Sequence, residues 1–351
     1  MRNLTLKKLD ITFWLVFLLA QSCCVDAGHS SWETGSRISL TTSSNHKIDR
    51  RWLTIEPSAD GVHVWPDATI KYCFESEETR QRTLYHLQAA RDRWYASGVP
   101  ERFELSEVTQ AECESNRANV LYIRYSDAGR LSATSGVPPL NGKDPEYRGP
   151  TMYLSNREDV GTLDVVANYA HELGHAWGLL HEHQNPAFWA MPYTGGQSQI
   201  FTFNCHNLKD YTEVISRYPE EEEQLCRLYG SASKRGFSAS EYLPIQGATR
   251  GPTIAIAQDQ DVDWESIMLY PSGAGGVGQA SPGNDQRAPV LLKASDGSKL
   301  PINLFPSVKD VQALIRLYEI KWPARETPLI NEPASPRHSK FKNIFRRNRC
   351  L

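Results

Sequence analysis

The sequence predicts an α+β fold in which N-terminal strands pack with two long helices, followed by an irregular C-terminal subdomain that ends in one helix. Three observations carry this. Short strand-like runs cluster before residue 155, two long stretches with helical spacing lie one among them and one after them, and the segment from 185 to 260 is broken by turn residues. Trp65 and Pro66 precede a strand-like run from Thr69 to Phe74. Glu77 to Tyr95 then carries Leu84, Leu87, Ala90, Arg91 and Trp94 at helical spacing. Asn119 to Tyr125 and Thr151 to Leu154 are rich in β-branched and aromatic residues and read as further strands. Between them, the Gly-, Ser- and Pro-containing stretch from Ala128 to Asp144 is expected to form an irregular edge.

Asp164 to Leu180 is the most helical segment, with Val165, Val166, Ala170, Leu173 and Trp177 and no internal proline, ending near Gly178. One short helix is expected around Glu220 to Leu228. The last helix is predicted from Pro306 to Glu319, because Ser307 and Asp310 form a capping-box pattern ahead of Val311, Leu314, Ile315 and Tyr318.

The chain has 351 residues, 40% hydrophobic and 23% charged, close to globular norms, and a net charge of −3 that gives no reason to expect a nucleic-acid partner. Residues 1–27 read as a signal peptide: Arg2, Lys7 and Lys8 stand ahead of an apolar run from Ile11 to Ala20, about half the ~20 residues a spanning helix requires. The expectation is a secreted, extracellular protein with no stable membrane span, taken to be a monomer. Residues 28–51 read as a pro-segment or linker closed by the dibasic Arg50 and Arg51, residues 52–322 as the folded domain, and residues 323–351 as a disordered basic tail. Of the seven cysteines, Cys23 and Cys24 fall in the signal region and Cys350 in the tail. That leaves Cys73, Cys113, Cys205 and Cys226 to pair in an oxidising compartment, and local pairing favours Cys73 with Cys113 and Cys205 with Cys226.

His171, Glu172 and His175 form an H-E-x-x-H motif on the central predicted helix, where residues four apart share a face and can chelate one ion. Glu172 lies about 100° round the helix from His171, which suits a general base acting on a water rather than an equal ligand. A catalytic zinc site needs a third protein ligand and one open position. His181 would lie roughly 240° away from the chelating face on a continuing helix, so the helix must stop. Gly178 can take the left-handed conformation that ends it and turns His181 back to the metal. A bare H-E-x-x-H arises by chance in on the order of one chain in a hundred, whereas adding the glycine and third histidine lowers this to about one in 10⁵. The motif is therefore read as a site for one zinc ion per chain. Loss of Glu172 or of one ligand would mark a catalytically silent secreted zinc-containing binding protein, the alternative reading, and neither is lost.

Downstream, Ser266-Ile267-Met268-Leu269-Tyr270 completes a pattern that resembles the metzincin clan of zinc peptidases, whose methionine turn, here at Met268, underlies the metal. Glu182 directly after the third histidine and the Ser-x-Met-x-Tyr turn are most similar to the astacin family, as are Trp65 with Pro66 and the helix near the end. The resemblance covers about residues 52 to 322. It implies a zincin (metzincin) fold with an N-terminal twisted mixed sheet and the zinc cleft between the two subdomains, endopeptidase activity on proteins or peptides, and Tyr270 as a further zinc ligand that moves to stabilise the oxyanion. It also implies that Glu182 contacts, through water, the N-terminus freed by pro-segment removal. Departures are Leu269 where the family generally has histidine, the divergent run after Glu182, unmatched residues 187–260, and no recognisable aspartate motif in the pro-segment. An extended substrate is expected against the edge formed by Leu131 to Val137.

Overall fold

The computed structural model describes residues 53–55, 63–138, 148–189, 200–245 and 257–318. The expected signal peptide, the whole of the expected pro-segment, the basic tail and Cys350 lie outside the described residues. A five-stranded sheet runs in the order β2-β1-β3-β5-β4. Its strands are β1 (Ile70–Phe74), β2 (Leu105–Glu107), β3 (Leu121–Tyr125), β4 (Ser132–Ala133) and β5 (Thr151–Leu154). β1, β2, β3 and β5 are mutually parallel, and β4 joins β5 antiparallel, with Ser132 opposite Tyr153. The sheet is thus mixed, with β4 at an edge.

Parallel neighbours require crossovers, and α1 (Glu77–Ala96) supplies the first. Ser76 caps it by accepting from the Thr79 N–H at 3.1 Å. Leu87, Ala90 and Trp94 of α1 are buried with Ile70, Leu121, Ile123 and Met152 of the sheet and with Leu173 and Trp177 of α3 (Val165–Trp177). Tryptophan indoles lock these layers to the backbone, since Trp94 Nε1 donates to Ala170 O at 2.9 Å, Trp65 Nε1 to Ala176 O at 2.7 Å and Trp177 Nε1 to Ala68 O at 3.2 Å. Buried indole N–H groups need such partners, so the ring packing also fixes where α3 sits.

In the N-terminal half, β2 and the short α2 (Gln110–Ser115), which carries Cys113 to Cys73 on β1, were not anticipated. The expected edge is also narrower than Leu131 to Val137, because Gly136 N already donates to His175 O at 3.1 Å and Val137 pairs with His63.

The C-terminal subdomain has its own core around Phe188, Phe201, Leu225, Phe237 and Leu291. Where one short helix was expected, three short helices occur, α4 (Tyr211–Arg217), α5 (Glu222–Leu225) and α6 (Tyr229–Lys234), with a Cys205–Cys226 disulfide among them. Strands β6 (Phe201–Phe203) and β9 (Leu291–Lys293) form an antiparallel pair, and β7 (Ala280–Ser281) pairs with β8 (Asn284–Asp285). α7 (Val308–Leu317) carries the complete capping box of Ser307 and Asp310 and returns Val311 and Leu314 to the core of the N-terminal half. Among the described residues, no helix is long and apolar enough to cross a membrane.

Candidate metal centre

α3 begins at Asp164, whose side chain accepts from the Ala167 N–H at 2.8 Å, and ends at Gly178 with φ of 109°. Only glycine takes that conformation without a Cβ clash, and here an added Cβ would also meet Ile55 and Leu317 side chains at 2.9 Å. The turn lets residues 179–181 double back. Leu180 N donates to Leu53 O at 3.0 Å and Ile55 N to Gly178 O at 2.8 Å, so residues 53–55 run beside the segment that delivers His181.

His171, His175 and His181 are all buried, and one ring nitrogen from each lies within 4.8 Å of the others. The Nε2 atoms of His175 and His171 are 3.1 Å apart, and those of His175 and His181 3.0 Å. Nitrogens 2.0–2.1 Å from a tetrahedral zinc would be about 3.3 Å apart, so the three fit one ion. The opposite ring edges agree. His171 Nδ1 contacts Ile267 O at 2.8 Å, His175 Nδ1 contacts Leu179 O at 2.9 Å, and His181 Nδ1 contacts the Gln184 side-chain oxygen at 2.8 Å. A carbonyl oxygen can only accept, which puts the proton on each Nδ1 and leaves an Nε2 lone pair for a metal. Three lone pairs converging at this range repel unless a cation lies among them. Burial also pushes the His171 imidazole down to about 4, which favours the neutral, ligating form.

Beneath the histidines, Met268 packs against α3 at Gly174, where an added Cβ would lie 2.5 Å from its Sδ. The turn that carries Met268 is held by the last helix. Asp310 accepts from Ser266 Oγ at 2.6 Å, from Ile267 N at 2.9 Å and from Ser307 N at 2.9 Å, while Ser266 Oγ in turn accepts from Met268 N at 3.0 Å. One carboxylate therefore caps α7 and anchors the turn whose Ile267 carbonyl orients His171. The capping pattern was legible in the sequence, but the second role of Asp310, the approach at Gly174 and the orienting contact of Gln184 depend on distant partners and were missed.

Glu172 is buried and lines a small cavity with His171 and Tyr270. The Tyr270 ring lies 4.4 Å from that of His181 and 5.6 Å from that of His171, centroid to centroid. His183 stacks on His181 at 5.2 Å and lies 4.8 Å from Tyr270, and its Nε2 contacts Glu241 O at 2.8 Å. Glu182 is turned away from the metal ligands. Its Oε1 accepts from Asp263 N at 3.0 Å while its own N–H donates to Met268 O at 3.1 Å, and burial holds its carboxyl well above the usual carboxylate range. The residues picked from the motif thus fall into one cluster, whereas the disulfides Cys73–Cys113 and Cys205–Cys226 lie in the separate cores.

No protein-family model and no curated protein matches the chain. Among solved structures it is similar to high choriolytic enzyme 1, a hatching enzyme zinc-protease from Oryzias latipes (medaka fish), at 15% identity and a TM-score of 0.42, over 76% of this chain and 98% of that one. It is also similar to myroilysin, at 16% identity and a TM-score of 0.37, over 76% of this chain and 98% of that one. At such identities the site's own residues, not these likenesses, carry the functional argument.

Proposed function

We propose that the chain is a secreted, astacin-like zinc endopeptidase that hydrolyses internal peptide bonds, with His171, His175 and His181 holding one zinc ion and Glu172 as general base. The observation that carries the reading is the convergence of three neutral, oriented imidazoles on one point, with a buried carboxylate lining the same cavity. Zinc bound there supplies Lewis acidity that makes water a nucleophile near neutral pH and polarises a carbonyl. Glu172 takes the proton of the attacking water at its carboxylate and passes it to the nitrogen of the departing amine. The Tyr270 hydroxyl donates to the oxyanion of the tetrahedral species, for which its position over the His181 ring is suitable. Edge strand β4 offers backbone groups to an extended peptide, so the substrate is held whatever its side chains.

Secretion is supported by the N-terminal signal pattern and by the two disulfides. The test is Glu172→Ala. This variant is expected to bind about one zinc per chain, measured by metal analysis, and to lose casein cleavage by at least the ~10² to 10⁴ that a general base contributes. Wild-type-like cleavage by zinc-loaded Glu172→Ala sinks the assignment.

A further inference from the structure

The cavity that His171 and Glu172 line lies between two walls from different halves of the chain. Val160, Gly161 and Thr162, just ahead of α3, form one wall, and Pro271, Ala274 and Gly275, just past Met268, form the other. A volume of about 40 Å³ leaves room for a few waters or one small side chain, so the spacing of the walls decides what enters. Arg287 joins them. Its Nη2 donates to Gly161 O at 3.0 Å, across 126 positions of sequence. The same guanidinium grips Asp285 with two bonds, Nε to Oδ1 and Nη2 to Oδ2, each 2.8 Å. Asp285 in turn lies against the second wall, where a Cβ added at Gly273 would stand 2.6 Å from its Oδ2. The backbone beyond it is equally close, since a Cβ at Gly276 would stand 2.1 Å from Ala288 O.

Stability alone does not explain the pair. The Arg287 side chain is 2% exposed, and a buried ion pair is often no more stabilising than apolar residues of the same size. What the charge supplies is a planar fork held at a fixed distance from a backbone carbonyl. That carbonyl belongs to a loop that needs holding. Gly161 and Leu163 have φ of 57° and 62°, and for leucine this conformation is strained and persists only where the surroundings over-determine it. From within the N-terminal half, Asn168 accepts from Thr162 N at 2.8 Å and donates to Val160 O at 3.1 Å. Arg287 holds the loop from the C-terminal half. We propose that Arg287 is a specificity-determining residue, which through Gly161 and Asp285 fixes the distance between the two walls and so limits the side chain that enters beside the metal. This deepens the peptidase reading and rests on it: the bonds cut are those flanked by a small residue on the side that enters the cavity.

The test uses the full chain with zinc bound and two quenched fluorescent peptides that differ only in alanine or phenylalanine next to the cut bond, with the cut position confirmed by mass spectrometry. Wild type is expected to prefer the alanine peptide in kcat/KM by about tenfold or more. Arg287→Met with Asp285→Asn removes both charges together, so neither is left buried alone, and the donor to Gly161 O is lost. In this variant the preference is expected to fall towards unity, and a ratio of two substrates on one preparation does not depend on how much of it is folded. Cys205→Ser with Cys226→Ser loosens the C-terminal half without removing a group from either wall, and should keep the wild-type preference. Hydrogen exchange at the Thr162 and Leu163 amides, both hydrogen-bonded, should quicken in the Arg287 variant and not in the cysteine variant. Equal cleavage of both peptides by wild type, a preference unchanged in the Arg287 variant or equally lost in the cysteine variant, or unchanged exchange overturns the proposal. If wild type cleaves no peptide while exchange quickens as expected, the peptidase reading fails and the wall-holding role of Arg287 stands. If casein is cleaved and the two peptides are not distinguished, the specificity proposal alone fails.

Discussion

Gln184 sets the tautomer of His181. Its amide nitrogen donates to Ser240 O at 2.7 Å and Leu243 O at 3.0 Å, and since both partners can only accept, its oxygen must face the His181 Nδ1 at 2.8 Å. The proton then sits on Nδ1 and the Nε2 lone pair faces the metal. His171 and His175 are oriented by main-chain carbonyls, so His181 is the ligand whose orientation depends on a side chain, and that side chain ties it to the turn at 238–243.

Gln184→Glu is therefore expected to weaken zinc binding by roughly 10- to 100-fold, because a carboxylate has no hydrogen to give the two carbonyls. Gln184→Ala should weaken it similarly by freeing the imidazole to rotate. Competition against a chromophoric chelator measures the affinity, and wild-type affinity in both variants would rule out the orienting role.

The legible parts of this fold are those with enough residues to show a period. α1 and α3 span several turns, β1, β3 and β5 are apolar and β-branched or aromatic, and Gly178 with His181 forces a chain reversal whatever the surroundings. What escaped is short or non-local. β2 has three residues, none buried, and α4, α5 and α6 have seven, four and six, too few for an apolar stripe to repeat. At the metal centre the ligands follow from spacing, but Asp310 reaches Ser266 and Ile267 across more than forty positions and Gln184 reaches Ser240 and Leu243 across more than fifty. Such partners are set by packing and leave no local pattern.

The Cys205–Cys226 disulfide staples the short-helix region, where little regular structure spans both ends. Replacing both cysteines by serine should cost about 3 kcal/mol in the chain-entropy model, where closing a loop of this size removes disorder from the unfolded chain. Denaturant midpoints at unchanged slope check the cost, and peptide mapping without reduction checks the pairing. A Cys73–Cys205 linked peptide would refute it.

Asp310 makes stability depend on pH in a direction opposite to that of an exposed, ion-paired aspartate. Burial pushes its carboxyl up to about 6 despite hydrogen bonds from Ser266, Ser307 and Ile267. The folded state thus holds a proton that the unfolded chain, titrating near 4, has lost. This contribution is fully present below about pH 4, declines as pH rises through about 6, and amounts to roughly 3 kcal/mol across that window. Asp310→Asn removes the titration, so the stability gap between wild type and variant should narrow from pH 4 to pH 7, as read from denaturant melts in matched buffers. A gap that widens with pH would show that the three donors outweigh burial.

Glu182 supplies the last prediction, through its place between the chain's N-terminal part and the metal site. It is buried directly after His181, and one N–H, from Asp263, reaches its carboxyl at 3.0 Å. Burying a carboxyl is unfavourable unless a charged or hydrogen-bonding partner is supplied. Residues 53–55 are paired with 178–180, so a chain cut near Arg51 would begin only a few residues from a segment already fixed beside His181. A freed α-amino group could then reach Glu182, directly or through water, a partner the uncut chain does not offer. Protein beginning at or shortly after Arg51 is accordingly expected to melt higher and to cleave casein faster than the uncut form. Glu182→Gln should erase much of the stability difference while zinc content stays at about one per chain, which separates this role from metal ligation. N-terminal sequencing of the secreted protein, with melting curves for cut and uncut forms of both sequences, decides the matter. Equal stability of the two wild-type forms would count against it, because the pairing of 53–55 with 178–180 would then act without any contribution from the new terminus.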